Sequence, residues 1–517
     1  MVLVRTRFEC TTLLTFSKTN DSKTRLDPVL RSLNVSESFQ ASLAPANYMR
    51  TEKVPDSVPG VVDAAFFPTE SGFDLILGKW YPYNSTIYGK KGAPTEDKKW
   101  QYEIATRKWT DTGIALRNWS QPNSPRRVSS AMTAWIPSLK KGFLFGGVFA
   151  SINGTSPNMR ELGDHNGLIT YDQATNMWTN ETTPFGAITD GGLVHVTTAT
   201  DEVLIQLGGS FERSTRVRPF SEINVYSTKK SKWYTQYLSL DAVVPAPRFS
   251  FCTAVKSASD GSSHQIYIMG GLEGSTPLNA KGGPTATSVW VLSIPSFEWA
   301  QLQVASATSA ADPRGRISPK CQAIGEHYIF YYGGRKVVDY YGTLTCDKKG
   351  AAAFLFDINT LTWTDNFTPQ EGTYEIPPQV TRLIGGDKNG GSPKKGPTNG
   401  WSNPDLEIVM TLKTAATNTT HEPASSIDSS KTNVGAIAGG AVAGVAAVAL
   451  SLLAAMMLHR CHQRRRSQHP PGREKPLSAC GGAQGEGGGP TELDGTGVPP
   501  AELPSGMYAL ELEADRG

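Results

Sequence analysis

The stretch "HQIYIMGG" (264–271), followed after a loop by "VWVLSIPSFEW" (289–299), decides how the chain folds. Its first part is an apolar run of strand length ending in Gly-Gly, and its second is another apolar run, a short turn and a Trp. The same order returns on both sides. "GFLFGG" (142–147) precedes "GLITYDQATNMW" (167–178), "EVLIQLGG" (202–209) precedes "EINVYSTKKSKW" (222–233), and "HYIFYYGG" (327–334) precedes "AFLFDINTLTW" (353–363). The first glycines stand at 146, 208, 270 and 333, steps of 62, 62 and 63 residues. Self-similarity at a fixed period marks a repeat architecture. A degenerate fifth copy, "FDLILGKW" (73–80) with "KWQYEIATRKW" (99–109), has Gly78 and Lys79 in place of the pair.

Each position has a physical reason. Gly146–Gly147, Gly208–Gly209, Gly270–Gly271 and Gly333–Gly334 allow positive φ and a close backbone approach at a strand end. Trp109, Trp178, Trp233, Trp299 and Trp363 each bury a large face at one repeated place, where a unit must pack on its neighbour. Twisted four-stranded sheets stacked radially make a β-propeller.

On these residues the chain resembles the kelch-repeat β-propellers, whose unit is an apolar strand, Gly-Gly, an aromatic-Asp pair and a Trp. It is similar in plan to fungal single-pass membrane proteins of that group, sometimes called cell-wall-anchored or galactose-oxidase-central-domain-like. The aromatic-Asp pair survives only as Tyr171-Asp172 and Phe356-Asp357. The resemblance implies an all-β fold with six or seven blades in the intact protein. It covers about 29–412, with the first blade incomplete because "VLRSLNVSESF" (29–39) reads as an outer-strand remnant. "YEIPPQVTRLIGG" (374–386) and "LEIVMTLK" (406–413) are expected to supply a strand that closes the ring.

Outside that region, 413–433 is a Ser/Thr-rich stalk, and 434–458 is 25 residues without a charged side chain, long enough to span a bilayer as a helix. Five arginines in the fifteen residues after the span, against one lysine in the fifteen before, put the C-terminus in the cytoplasm and the propeller outside. The plasma membrane or cell surface is the expected location. Residues 1–28 carry Arg5, Arg7, Glu9 and Lys18 and contain no signal-peptide core. Either the protein is not exported or Met1 is not its natural start, and a displaced start is the reading adopted. Gly435/Gly439 and Gly440/Gly444 allow a helix dimer. The tail, 459–517, reads as disordered and splits into a basic part, 459–475, suited to anionic lipid, with Cys461 a palmitoylation candidate, and an acidic part open to a cytosolic partner.

A formal charge of +3 gives no reason to expect nucleic acid. Of the six cysteines, Cys321 and Cys346 are the expected disulfide, while Cys252 in "FSFCTAV" is expected to be a buried thiol. Asn20, Asn34, Asn84, Asn118, Asn153, Asn180, Asn366 and Asn418 head glycosylation sequons, a mild sign of export. Galactose and glyoxal oxidases use related propellers with a copper-radical centre, which needs two His, two Tyr and a Cys at the axis. His165, His195, His264, His327 and His421 are isolated in the sequence, and His264 and His327 read as solvated turn histidines. His195 alone sits inside an inner strand. The expectation is therefore no catalytic residue, no metal and no cofactor. Iron binding as in the plant specifier proteins finds no supporting spacing.

Binding is the preferred reading. Long loops follow each Gly-Gly and emerge on one face with the links between blades. They carry Arg160, Asp164, Arg213, Arg216, Arg218, Tyr340 and Tyr341. In the Pro-Arg sequences before three inner strands, Arg126, Arg248 and Arg314 could ring the channel mouth or satisfy blade-edge carbonyls. A wall polysaccharide or a surface protein is the expected ligand, with a copper-radical oxidase or a cytosol-facing kelch scaffold as alternatives.

Overall fold

The computed structural model describes residues 9–13, 16–18, 24–26, 29–55, 57–58, 61–76, 78–80, 99–113, 115–116, 127–150, 161–211, 216–274, 286–309, 311–337, 344–345, 353–369 and 372–412. They fall in a unit spanning Met1–Thr419; the second unit, Thr420–Gly517, lies outside the described residues, as do the expected stalk, span and tail. Among the described residues no helix is long and apolar enough to cross a membrane.

Among the described residues six main sheets, antiparallel through their principal strands, follow one another. Sheet 2 is Ala65–Pro68, Gly72–Ile76, Trp100–Glu103 and Lys108–Asp111, each strand paired to the next. Sheet 4 is Gly192–Thr197, Glu202–Leu207, Glu222–Ser227 and Lys232–Tyr237; sheet 5 is Cys252–Ser257, His264–Met269, Val289–Ile294 and Glu298–Leu302. Sheet 3 (Met132–Ile136, Lys141–Phe145, Gly167–Asp172, Met177–Thr182) gains Ala115–Leu116 on its outer edge, paired in parallel. Sheet 6 (Arg316–Ile324, Tyr328–Val337, Ala353–Asp357, Thr362–Thr364) gains Ala305–Ser306 in the same way. The first strands of sheets 2 to 6 lie next to one another in order, so the sheets converge on an axis.

Sheet 1 corrects an expectation. Val29–Asn34 is its middle strand, between Glu9–Leu13 and Met49–Lys53, so residues before 29 belong to the sheet.

The core is layered and circular. Successive apolar clusters lie between sheets 1 and 2, 2 and 3, 3 and 4, 4 and 5, and 5 and 6. The sixth returns to the start, with Leu33, Phe39, Ala41 and Met49 against Ile324, Tyr328, Phe330, Leu355 and Phe367. Each repeat Trp enters the layer shared with the preceding sheet. Trp178, Trp299 and Trp363 are buried there, while Trp109 and Trp233 are half-buried. Opposite them across the strand pair stand Tyr102, Tyr171, Tyr226, Leu292 and Phe356. Two residues before each Trp, Arg107, Asn176, Ser231, Phe297 and Leu361 take positive φ and turn the chain into the last strand. Asp172 and Asp357 accept backbone N–H bonds in that turn, and Ser227 does so where the aromatic-Asp pair has been lost.

The expected closing strand is absent among the described residues. Helix α1 (Pro378–Ile384) lies within 374–386 instead, and helix α2 (Pro404–Met410) runs into the second stretch from two residues ahead of it, each opened by Pro at its first turn. Val380 and Ile384 of α1 fill the layer between sheets 5 and 6, and Leu406, Val409 and Met410 of α2 the layer between 4 and 5. Three or four residues apart, these side chains form one helical face, a pattern that outranks the local β propensity of "LEIVMTL". The ring closes elsewhere, where Asn366–Phe367 pairs with Phe39–Gln40.

The expected Cys321–Cys346 disulfide is also corrected. Cys321 pairs with Cys252, across a Cα separation of 5.4 Å. The two stand on neighbouring first strands, which the sequence placed 69 residues apart. Cys346 lies outside the described residues.

Candidate functional site

The strands are antiparallel, so turns between the first and second strands and between the third and fourth lie at one end of every sheet. The Gly-Gly corners and the links between sheets lie at the other. At that end the first hairpin bends. Ser129–Ser130 and Gly146–Gly147 form the bend of sheet 3, beyond which Arg127–Ser129 pairs with Val148–Ala150. Both glycines of every pair have positive φ. The second donates its N–H to the next sheet: Gly147 to Ile188 O (2.9 Å), Gly209 to Arg248 O (3.1 Å), Gly271 to Arg316 O (2.8 Å). A Cβ on Gly146 would lie 2.0 Å from Ile188 O, so Gly alone fits.

Facing the glycines is a second repeated set that sequence reading missed. Asp63, Ser130, Asp190 and Ser250, each just ahead of a first strand, and Ser318, near the start of the first strand of sheet 6, all have φ between 52° and 56°. They are hydrogen-bonded in sequence around the axis: Asp190 N–H to Ser130 O (3.3 Å), Ser250 N–H to Asp190 O (2.6 Å), Ser318 N–H to Ser250 O (2.7 Å). Their oxygen-bearing side chains are the signal that could have revealed them, because Asp and Ser tolerate this conformation better than branched residues. Asp190 is half-buried there. Burial, then the nearby Asp63 carboxylate, push its carboxyl up to about 6, against the hydrogen bonds and the Lys320 charge that pull it down.

The arginines chosen from sequence divide sharply. Arg248 is 1% exposed, ion-paired to Glu273 (2.7 Å) and bonded to Ala246 O and Ser288. Arg218 is 3% exposed, bonded to Asn224 (2.8 Å) and Glu222 (3.5 Å) and lying over Phe185 and Phe211. Both brace the fold, which removes them from the expected binding set. Arg314 is exposed in a turn held by Asp312, and Arg316, two residues on, takes the place equivalent to Arg248, bonded to Gly333 O and Gly334 O. The Pro-Arg register was thus misread by two residues. Arg216 is exposed, its guanidinium 4.5 Å from the Phe211 ring. Asp164 is half-buried on a strand paired with Val148–Ala150. Arg126, Arg160, Arg213, Tyr340 and Tyr341 lie outside the described residues.

The histidines are corrected as well. His264 and His327, expected in solvent, are buried. His264 lies between Ser257 Oγ (2.7 Å) and Thr197 O (3.1 Å), and burial lowers its imidazole to about 4. His327 faces Asp357 and stacks near Tyr328. His165 is held between Gly146 O and Asn180 Oδ1, and burial lowers it too. His195 pairs with Glu202 at 2.6 Å, and its imidazole is likewise lowered, chiefly by burial. His421 lies outside the described residues, and among those described no group of three His, Cys, Asp or Glu could hold a metal ion. Of the sequons, Asn366 is exposed, Asn34 is half-buried at a strand end, and Asn180 accepts from His165; Asn20, Asn84, Asn118, Asn153 and Asn418 lie outside the described residues, as does Cys461.

No protein-family model matches the chain. A kelch repeat-containing protein of Arthroderma benhamiae is 27% identical over 412 residues, which cover 68% of this chain and 58% of that protein. The chain thus spans a little over half the length of the curated relative it matches. That similarity, with the repeated Gly-Gly corners, the Trp layers and the circular packing, supports a kelch-type, propeller-like all-β fold for this chain.

Proposed function

We propose that this chain is a cell-surface kelch module that binds a wall polysaccharide or a surface protein through its Gly-Gly face and turns nothing over. The observation that carries the reading is the division of labour at that face. A hydrogen-bonded frame and buried arginines hold the corners, and the long stretches that follow each Gly-Gly in the sequence are the kind of segment that carries binding residues on a fixed scaffold. Kelch similarity favours an interaction module. Each described histidine already has protein partners, which disfavours the oxidase alternative.

Export is supported by the Cys252–Cys321 bridge, since such bonds persist in oxidising compartments, and by the exposed Asn366 sequon. The proposed anchor is the 434–458 span, with the tail inside meeting lipid or a cytosolic partner. A cytosol-facing scaffold is the second reading.

The test uses purified full-length chain. Retention on immobilised wall polysaccharide or surface protein, weakened by charge reversal at Arg213 and Arg216, is the expected result. Arg218 is spared because its burial would confound binding with folding. Peroxide release from galactose or glyoxal after Cu(II) loading, lost in His195→Ala, would overturn it. Peptide-N-glycosidase should lower the mass of the chain isolated from its native source, and an unchanged mass would favour the scaffold.

A further inference from the structure

A charged pair is buried between sheets 2 and 3. Asp74, in the strand Gly72–Ile76, is 1% exposed, and Lys99, just ahead of the strand Trp100–Glu103, is 8% exposed. Gln101 stands opposite Asp74 in the ladder, so Lys99, two residues before Gln101, shares the face of the sheet that carries Asp74. That face meets Tyr171 of sheet 3, which is fully buried and stacked against Phe67 and Trp178.

Lys99 Nζ donates to Tyr171 Oη (2.8 Å), and the Tyr171 hydroxyl donates to Asp74 Oδ2 (2.9 Å). Gln173 Nε2 also reaches Oδ2, at 3.4 Å. The Lys99 ammonium itself stands 3.6 Å from that oxygen, too far for a hydrogen bond. Asp74 Oδ1 is buried with no hydrogen-bond partner among the described residues. A buried ion pair offsets its desolvation only when its geometry is good and its remaining lone pairs are met, and this pair satisfies neither condition. A neutral amide in the same place removes both charges and one of the two oxygens.

We propose that Lys99 and Asp74 condense into an intramolecular amide, with Tyr171 relaying the protons. One proton passes from the Lys99 ammonium through the Tyr171 hydroxyl to Oδ2, along hydrogen bonds already made, leaving a neutral amine and a carboxylic acid. The Nζ lone pair then adds to Cγ, the carbon that bears Oδ2. A second Nζ proton follows the same relay, the Cγ–Oδ2 bond breaks, and Oδ2 leaves as water. One ammonium and one carboxylate become one amide and one water, and nothing is oxidised or reduced. Burial, then the Asp74 charge, hold the Tyr171 phenol well above its ordinary value, so it hands on protons without resting as a phenolate. Two groups fixed side by side react as if at very high concentration, and the aromatic surroundings exclude the bulk water that would hydrolyse the product. The bond ties the second strand of sheet 2 to the third across 81–98, whatever the Gly-Gly face binds.

Tryptic mapping of the purified full-length chain under denaturing conditions tests this. An amide at Lys99 blocks cleavage after it, so the expected product is a branched peptide, 54–79 joined to 99–107, lighter by one water than its two parts and with fragment ions that place the junction at Asp74 and Lys99. Recovery of 54–79 and 100–107 as separate, unmodified peptides would overturn the proposal. Lys99→Arg keeps the positive charge and should release 54–79 unmodified; a junction that survives this change would assign the link to another residue and sink it. In a Tyr171→Phe chain that retains the wild-type circular dichroism, the linked fraction should fall roughly tenfold or more. An unchanged fraction there would overturn the relay, since a ring that only packs would leave the yield alone.

Discussion

The joint between sheets 3 and 4 and the seam between sheets 6 and 1 perform the same task by different means. At the joint a glycine corner presses against the neighbouring backbone, with Ile188 O receiving the Gly147 N–H and leaving no room for a Cβ on Gly146. At the seam a Cβ on the equivalent Gly333 would meet nothing within 4 Å among the described residues. A short strand pair, Ser42 bonded to Asp365, and the stacked rings of Phe39 and Phe367 hold the sheets together instead. Joints use backbone complementarity repeated by the sequence; the seam uses side chains from an insertion, 39–48, that occurs once.

The largest expected effect breaks that contrast if it fails. Gly146→Ala should cost roughly 4 kcal/mol or more, since a buried backbone clash adds to left-handed strain, whereas Gly333→Ala should cost only about 1–2 kcal/mol from strain. Urea titrations of both variants measure the difference, and equal losses would mean that the seam is a joint like the others. Next comes the covalent tie between sheets 5 and 6. Closing a 69-residue separation, it stabilises by about 4 kcal/mol in the chain-entropy account. Cys252→Ser should therefore lower the urea midpoint strongly, and Cys346→Ser should leave it unchanged.

Phe39→Ala, at the seam, should cost about 3–4 kcal/mol by cavity formation. Limited proteolysis should then cut first near the ends of sheet 1, and a cut elsewhere would show that the ring opens at another place. The smallest effect concerns the axis. Asp190 holds its proton to about pH 6 when folded, above the ordinary carboxylate range of the unfolded chain. The folded state therefore binds more protons between about pH 4 and 6, and stability falls as pH rises through that window. Asp190→Asn should match the wild type below pH 4 and exceed it by about 1–2 kcal/mol at pH 7. Thermal melts across pH check this, and parallel curves would place the carboxylate in water.

Legibility in the sequence followed the same division. Gly-Gly at steps of 62 or 63 residues, each followed by a Trp after the next apolar run, was readable because each repeat must solve one packing problem in one way. The seam, the helices α1 and α2, and the Cys252–Cys321 pair occur once, so no internal comparison could flag them. Arg248 was found with two readings open: Pro-Arg before a strand marks a special position, and only burial decides for a brace over a binding residue.

Ala115–Leu116 and Ala305–Ser306 each leave the outer strand of one sheet and run in parallel along the outer strand of the next before crossing inward. A pull on the chain between sheets is therefore met by bonds lying side by side across the line of force, which must break together rather than peel one after another. Tension reaching sheets 3 and 6 is resisted in shear.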